Sequence, residues 1–481
     1  MIKWIILFSV LYLSMLIFLS LRSRKKVKSS IDYIFAGSNI GSALGFMTFA
    51  ATLFSTFTLM GMPDFFRING AGAWIFLAVS DGAMVFLILW FALHLRRKVS
   101  EKEFSGISSL LQNAYRSKIA GYVYFAGVFI FLIPYVAIQI RGVSIFLNAT
   151  FPAFLPVWAW AMLIVVIMLI YSEIGGLKAI MYADSLQGLI LLTVIWIIAM
   201  NCLRFFGGFE NMFDEVEKVN STLLSVPGPQ GLFNIQFLVA SLLVIMLIPV
   251  TQPQLTTRLV VMKDLKETHK MAIGVGIFAN LIIFPTLILG YYGAVRYPAE
   301  STAGFIAKVL LFDQPGAVAA LAIIGLIAAA LSTSDSQIFA LGTEFRSLLK
   351  GRDKTVMLRT RLAIIFFGIA AMVFSILSSD ELVLLARVSF AGTALLAPMI
   401  FTAIFLKKKP GVIIPVMTFT CLIIFILSLL GWIPDQIFRI RMDLLLLVFL
   451  GIFTLIINLF TTDGKNADPA AGNPGSHVHG M

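Results

Sequence analysis

Apolar residues run along this chain in long blocks separated by short polar intervals. Thirteen blocks stand out, near 3–21, 40–66, 71–96, 118–148, 155–171, 178–203, 232–252, 269–290, 316–345, 360–378, 381–406, 410–431 and 440–460. A helix of about 20 apolar residues spans the hydrocarbon of a bilayer, so each block predicts a transmembrane helix. The longer blocks predict tilt, kinks or protruding ends. The fold class expected is an all-α membrane protein of about 13 transmembrane helices.

Two blocks contain their own interruptions. In the second, Gly61-Met62-Pro63 precedes Asp64 and Arg67; in the seventh, Pro249 and Thr251-Gln252-Pro253-Gln254 precede Thr256, Thr257 and Arg258. Proline inside a span breaks the hydrogen-bond ladder, which is tolerated where the backbone lines a cavity. The interruptions lie five spans apart, and an odd offset reverses membrane orientation. That layout is expected of an inverted repeat over spans 2–6 and 7–11, with binding sites at the broken helices. The divisions expected are 1–39 (first helix and basic loop), 40–231 (first repeat and outer loop), 232–409 (second repeat), 410–461 (two terminal helices) and 462–481 (a polar, disordered cytoplasmic tail).

Polar residues inside the ninth block concentrate in Ala328-Ala329-Ala330-Leu331-Ser332-Thr333-Ser334-Asp335-Ser336-Gln337. Ala329, Ser332 and Ser336 share one helix face at i, i+3 and i+7, with Asp335 beside them. Closely spaced hydroxyl, carbonyl and carboxylate oxygens suit a hard cation. The competing reading is a hydroxyl patch that holds helices together. Two further charges lie within blocks: Asp81 in the third and Arg141 in the fourth, the latter near Gln139. Arg141 is open to three readings: a clamp for a substrate carboxylate, a buried ion pair with Asp81, or a side chain reaching the outer headgroups.

Composition agrees with the blocks: 59% of the 481 residues are hydrophobic, 12% are charged and the mean hydropathy is +0.97. No soluble domain has that balance. The net charge of +12 is scattered through short loops, which argues against nucleic acid and for a positive-inside topology. Arg22, Arg24, Lys25, Lys26 and Lys28 mark the first loop, and Arg96, Arg97, Lys98 and Lys102 the third. Arg258, Lys263 and Lys266, then Arg346, Lys350, Arg352 and Lys354, then Lys407 to Lys409 mark later odd-numbered loops. The N-terminus is therefore expected outside, the C-terminus in the cytoplasm, and the protein in the cell (inner) membrane. Cys202 and Cys421 are too few and too far apart for a disulfide framework or a metal cluster. The chain has no HExxH motif, and no histidine near a span centre could activate a serine. An enzyme is not expected.

Several of these stretches resemble motifs of the sodium/solute symporter family. Tyr171-Ser172-Glu173-Ile174-Gly175-Gly176-Leu177-Lys178, continuing to Asp184 and Gln187, is similar to its signature of an aromatic, a Gly-Gly turn, then Asp and Gln. Gln252-Pro253-Gln254…Arg258 and Leu331-Ser332-Thr333-Ser334-Asp335-Ser336 resemble its second broken helix and its sodium-site helix. Thr52-Leu53-Phe54-Ser55 through Gly61, on to Gly70-Ala71-Gly72-Ala73-Trp74, resembles its first core helix, nearest to the pantothenate-permease-like branch.

The resemblance implies a LeuT-type 5+5 inverted repeat with one preceding and two following helices. It implies a sodium site made by Ala51 and Phe54 with Ala329, Ser332 and Thr333. It also implies a possible second cation site at Asp184, Ser332, Asp335 and Ser336, unless Asp184 and Asp335 share a proton, or Asp184 is simply a helix cap. Phe54, Phe57, Thr58, Phe76, Gln139, Arg141 and Gln252 are the expected substrate-pocket residues. The activity implied is sodium-coupled symport of a small organic solute by alternating access, with Na+ as the co-transported ion and no organic cofactor. Arg141 would tilt the solute toward a carboxylate. The alternatives are a proton-coupled carrier using Asp184 and Asp335, or a transporter-like sensor. The bilayer is the other expected partner, and no protein partner is indicated.

Overall fold

The computed structural model describes residues 1–24, 36, 39–99, 104–405 and 411–460. Within them, the side chains of 20, 24, 171–175 and 353 are not described. Lys25, Lys26, Lys28, Lys102, Lys407 to Lys409 and the expected tail at 462–481 lie outside the described residues.

Every apolar block that predicts a span forms helix. Nine helices of the described residues are long and apolar enough to cross a membrane, or up to ten when the bent pair Ser42–Leu53 and Phe57–Asn69 counts as one. Three of the thirteen expected spans are shorter helices: Val157–Ile170, Ile235–Met246 and Ile413–Leu429. Each is cut short for a local reason where one is visible. Ile235–Met246 ends near the break before Pro253, and Val157–Ile170 runs into the turn at Gly176. Three further helices occupy segments expected to be loops: Ile107–Tyr115, Phe209–Asn220 and Thr302–Ala307. They are too short to read as apolar blocks. Phe209–Asn220, for example, buries only Met212 and Val216, one turn apart on its single apolar stripe.

The interior is a single body of packed helices. Gly316–Leu348, the hydroxyl-bearing helix, packs against both Val157–Phe206 and Lys118–Thr150, and Ser42–Leu53 lies along Val157–Phe206. At about 1.5 Å per residue, helices such as Lys118–Thr150 exceed the hydrocarbon thickness and must project beyond it. Ile2–Arg24 and Met442–Phe460 expose most of their apolar side chains and sit at the periphery, as a lipid-facing helix does.

Both interruptions are real, but the first is displaced. It falls at Phe54–Thr56, not at Gly61-Met62-Pro63, and bends the span by 55°. Phe54 turns extended (φ −99°, ψ 126°), and the chain resumes through a π-helical turn at Phe57–Gly61. Pro63 sits in the first turn of Met62–Asn69, where a missing N–H is no loss. The second break falls where expected, at Gln252 (φ −96°, ψ 117°). Proline 253 forces it, because the residue before a proline is driven out of the α region. Outside the breaks, Ile40 and Met262 form a parallel bridge, so the chain entering the first broken span pairs with the chain leaving the second.

Gly176 joins two spans in one turn, with φ 63° and ψ −169°, a conformation essentially reserved for glycine. Gly176→Ala is expected to cost about 1–3 kcal/mol and to lower the melting temperature of the purified protein. Gly451→Ala, on the peripheral helix with open space around its Cα, is expected to leave it unchanged or slightly raised.

Candidate functional site

The first broken span offers backbone oxygen, and the hydroxyl helix supplies the side chains that meet it. Ser332 Oγ lies 3.1 Å from the Ala51 carbonyl oxygen and Thr333 Oγ1 lies 3.4 Å from it. Ser332 also donates to Asp184 Oδ1 at 2.6 Å. One hydroxyl proton cannot serve both acceptors, so the Ser332 and Ala51 oxygens face each other with lone pairs that a cation would satisfy. Phe54 stands at the break itself, where the peptide leaves the helix direction, and its ring packs on Phe278 at 5.7 Å. Ala329 is buried one turn before Ser332 in the same helix. Ala51, Ser332 and Thr333 are thus in direct contact, with Phe54 and Ala329 one turn to either side.

Asp184 has company of a different kind. Arg258 is 1% exposed, and its guanidinium reaches into the bundle. Its Nη2 donates to Asp184 Oδ2 at 2.9 Å and to Ser336 Oγ at 2.7 Å, Nε donates to Thr48 Oγ1 at 3.0 Å, and Nη1 to the Gln254 carbonyl at 2.7 Å. Thr48 in turn donates to Asp184 Oδ2 at 2.6 Å. Arg258 is therefore not a loop charge marking topology. Nor is Asp184 a simple helix cap, since it lies inside Val157–Phe206 and accepts side-chain donors from three other helices. A guanidinium occupies the place between Asp184 and Ser336 where the family resemblance puts a second metal cation. Asp335 stays out of this network; its two carboxylate oxygens are enclosed and meet no hydrogen-bond donor among the described residues.

The helix Lys118–Thr150 sets the other side of the site. Tyr135 donates to the Leu53 carbonyl at 3.4 Å and Tyr124 donates to the Thr251 carbonyl at 3.1 Å. These are carbonyls at the two breaks, which have lost helical partners. Local hydroxyls complete the repair. Thr58 Oγ1 accepts from the Ser55 N–H at 3.0 Å, and Thr256 Oγ1 lies 2.9 Å from the Pro249 carbonyl.

Between the breaks is a cavity of about 20 Å³, lined by Phe54, Phe57, Phe76, Asp81, Tyr135, Val383 and Phe390 among others. That is room for one water molecule. Val383 also lines an outer vestibule of about 360 Å³, which is bordered by Asp64, Arg67, Glu300 and Asp380. A thin partition that includes Val383 therefore separates the vestibule from the inner cavity. Of the expected pocket residues, Phe54, Phe57 and Phe76 reach the cavity. Thr58, Gln139 and Gln252 do not line it: Thr58 caps the first break, Gln139 bonds the Tyr135 carbonyl at 3.2 Å, and Gln252 accepts from Gln254 at 2.6 Å.

Arg141 departs furthest from expectation. Its Nε donates to Asp380 Oδ1 at 2.8 Å, with the Asp380 side chain 53% exposed, so it points toward an exposed end of the bundle. It neither pairs with Asp81 nor lines the cavity. The sequence placed it mid-block, but Lys118–Thr150 is long enough that Arg141 falls beyond the cavity level. Residues that sequence reasoning missed include Thr48, Tyr124, Tyr135 and the Tyr12–Gln187 contact, where Gln187 Nε2 donates to the Tyr12 hydroxyl at 2.7 Å. Thr48 and Thr52, one turn apart, were the available signal. For Tyr124 and Tyr135, it was three-turn spacing on one helix face.

A family model described as the sodium:solute symporter family matches residues 33–411. The sodium/pantothenate symporter of Haemophilus influenzae is 24% identical over 62% of this chain, which spans 62% of that relative's length. The high-affinity proline transporter PutP of Bacillus subtilis is 22% identical over 80% of this chain and 83% of its own. Among solved structures, a Na+-coupled sialic acid symporter, described as substrate-bound and outward-open with a novel Na+ site, superposes with a TM-score of 0.75 at 18% identity, covering 93% of this chain and 96% of that one. MhsT in complex with L-phenylalanine superposes at 0.56 with 14% identity, over 87% and 97%. These likenesses show a LeuT-type fold. With its multiple apolar helices and a match over most of its length, this multi-pass membrane protein belongs to the sodium:solute symporter family.

Proposed function

We propose that the protein is a sodium-coupled symporter that carries a small organic solute by alternating access. The observation that carries this reading is the meeting of the Ala51 carbonyl with the Ser332 and Thr333 hydroxyls at a helix break. Phe54 and Ala329 contribute the remaining carbonyls of the sodium site. Oxygen donors without a nearby thiolate or imidazole suit a hard alkali cation. The relatives, symporters of pantothenate and sialic acid and a transporter of proline, support the same class of cargo.

Residues 40–231 and 232–409 form the two inverted repeats, and thirteen spans place the N-terminus outside and the C-terminus in the cytoplasm of the cell membrane. The matched breaks at Phe54–Thr56 and Gln252 support the repeat, and Arg96, Arg97, Lys98, Lys263 and Lys266 support the orientation. The solute binds beside the breaks, where the cavity, which has room for one water in this conformation, widens to receive it, and it enters from the vestibule past Val383. Sodium joins the first broken span to the hydroxyl helix, which favours the conformation that receives solute. Each ligand then raises the affinity of the other by the same factor.

One sodium accompanies each cycle, because the Arg258 guanidinium already supplies the positive charge between Asp184 and Ser336. Asp335 favours a second reading, proton coupling. A carboxylate buried without donors is costly unless a cation or a proton satisfies it.

Two measurements test these statements. Sodium at constant ionic strength is expected to raise the melting temperature of wild type where potassium does not, and Ser332→Ala is expected to lose that response. A melting temperature that instead follows pH without responding to sodium, with the pH dependence removed by Asp335→Asn, would favour the proton-coupled reading. Arg258→Met leaves Asp184 buried without its cation and is expected to cost about 3–5 kcal/mol. In the same variant the sodium response should steepen, because the freed Asp184 and Ser336 oxygens then admit a second ion.

A further inference from the structure

Asp81 is buried, 6% exposed, and its carboxylate has neither an ion pair nor a side-chain hydrogen bond among the described residues. The partner that sequence suggested for it, Arg141, is engaged by Asp380 at an exposed end of the bundle. Asp81 is among the residues that line the cavity between the broken helices, and among the described residues it is the one charged residue there. Its companions there are aromatic: Phe54, Phe57, Phe76, Tyr135 and Phe390. Tyr135 and Phe390 meet edge to face at 4.8 Å.

We propose that Asp81 is the counter-ion for a cationic nitrogen, and that the transported solute carries a protonated or quaternary amine. A carboxylate in a cavity of aromatic faces is the arrangement that recognises organic ammonium, since ring quadrupoles and the anion attract the same positive head. The same walls are wrong for an alkali ion, which needs several oxygen donors at short range. Among the described lining residues, the only side-chain oxygen besides the Asp81 carboxylate is the Tyr135 hydroxyl, which already donates to the Leu53 carbonyl. They are equally wrong for a solute recognised through a carboxylate alone. No basic side chain lines the cavity, and Asp81 would repel such a group. The structure thus moves the expected charge of the solute from negative to positive. This inference rests on the proposed use of the cavity as the solute site.

The test is thermal stabilisation of purified wild type, Asp81→Asn and Asp81→Glu in sodium buffer, with choline, glycine betaine and proline as amine probes and pantothenate as the amine-free carboxylate. At least one amine probe is expected to raise the wild-type melting temperature. Asp81→Asn should weaken its apparent affinity about tenfold or more, as loss of one charge-assisted contact does. Asp81→Glu should retain part of the response, which separates loss of charge from loss of folding. Pantothenate should have no effect on wild type. The proposal is overturned if no amine probe stabilises wild type, if the amine response survives Asp81→Asn unchanged, or if pantothenate alone stabilises. A wild-type response to sodium without solute is read in parallel. Its absence removes the symport reading, whereas its presence alongside unresponsive amines removes only the role of Asp81. Loss of the sodium response itself in Asp81→Asn, with Asp81→Glu normal, would make Asp81 a sodium ligand and would also overturn the proposal.

Discussion

A backbone that leaves the helix inside hydrocarbon exposes carbonyl and amide groups with no water to receive them, at several kcal/mol for each unsatisfied group. Much of the interior of this protein can be understood as the answer to that constraint, met twice. At each break a tyrosine from Lys118–Thr150 reaches a carbonyl, and threonines from the broken span take up nearby groups. Where the hydroxyls of Ser332 and Thr333 meet Ala51, the repair is incomplete, and this is where we propose that an ion binds. Binding chemistry and backbone chemistry are the same problem at this position.

The second organising interaction is the buried pair of Arg258 and Asp184. A guanidinium at this depth is retained only with a carboxylate partner and hydrogen bonds for its remaining N–H groups, and the structure supplies both. The pair ties the second broken span, through Arg258, to the first, through Thr48, and to the helix that carries Asp184. Ser332 hangs from the other oxygen of the same carboxylate. The proposed ion site and the ion pair therefore share Asp184, which links them through a single side chain.

Much of this was legible in sequence because hydrocarbon imposes a coarse rule on composition. Blocks of apolar residues gave the spans, proline gave the second break, and clustered hydroxyls gave the helix of Ser332. What was not legible depended on position along an axis or on partners remote in the chain. Proline 63 read as a break because its place in a first turn is invisible until the upstream kink at Phe54 is known. Arg258 read as a loop charge because it follows a span, though it folds back inside. Arg141 and Asp81 looked like partners by depth, yet one belongs to an exposed rim and the other to the cavity. The amphipathic helices at Ile107–Tyr115 and Phe209–Asn220 were too short for a rule built on long blocks.

Tyr124 and Tyr135 are eleven residues apart, which on an α-helix is three turns and about 16 Å along one face. One helix, with Pro134 inside it, thus touches both breaks at once. Neither break can slide relative to the other along that axis without one tyrosine letting go of its carbonyl. Lys118–Thr150 consequently couples the two broken spans, and a shift of either along that axis must carry the other with it or break a named hydrogen bond first.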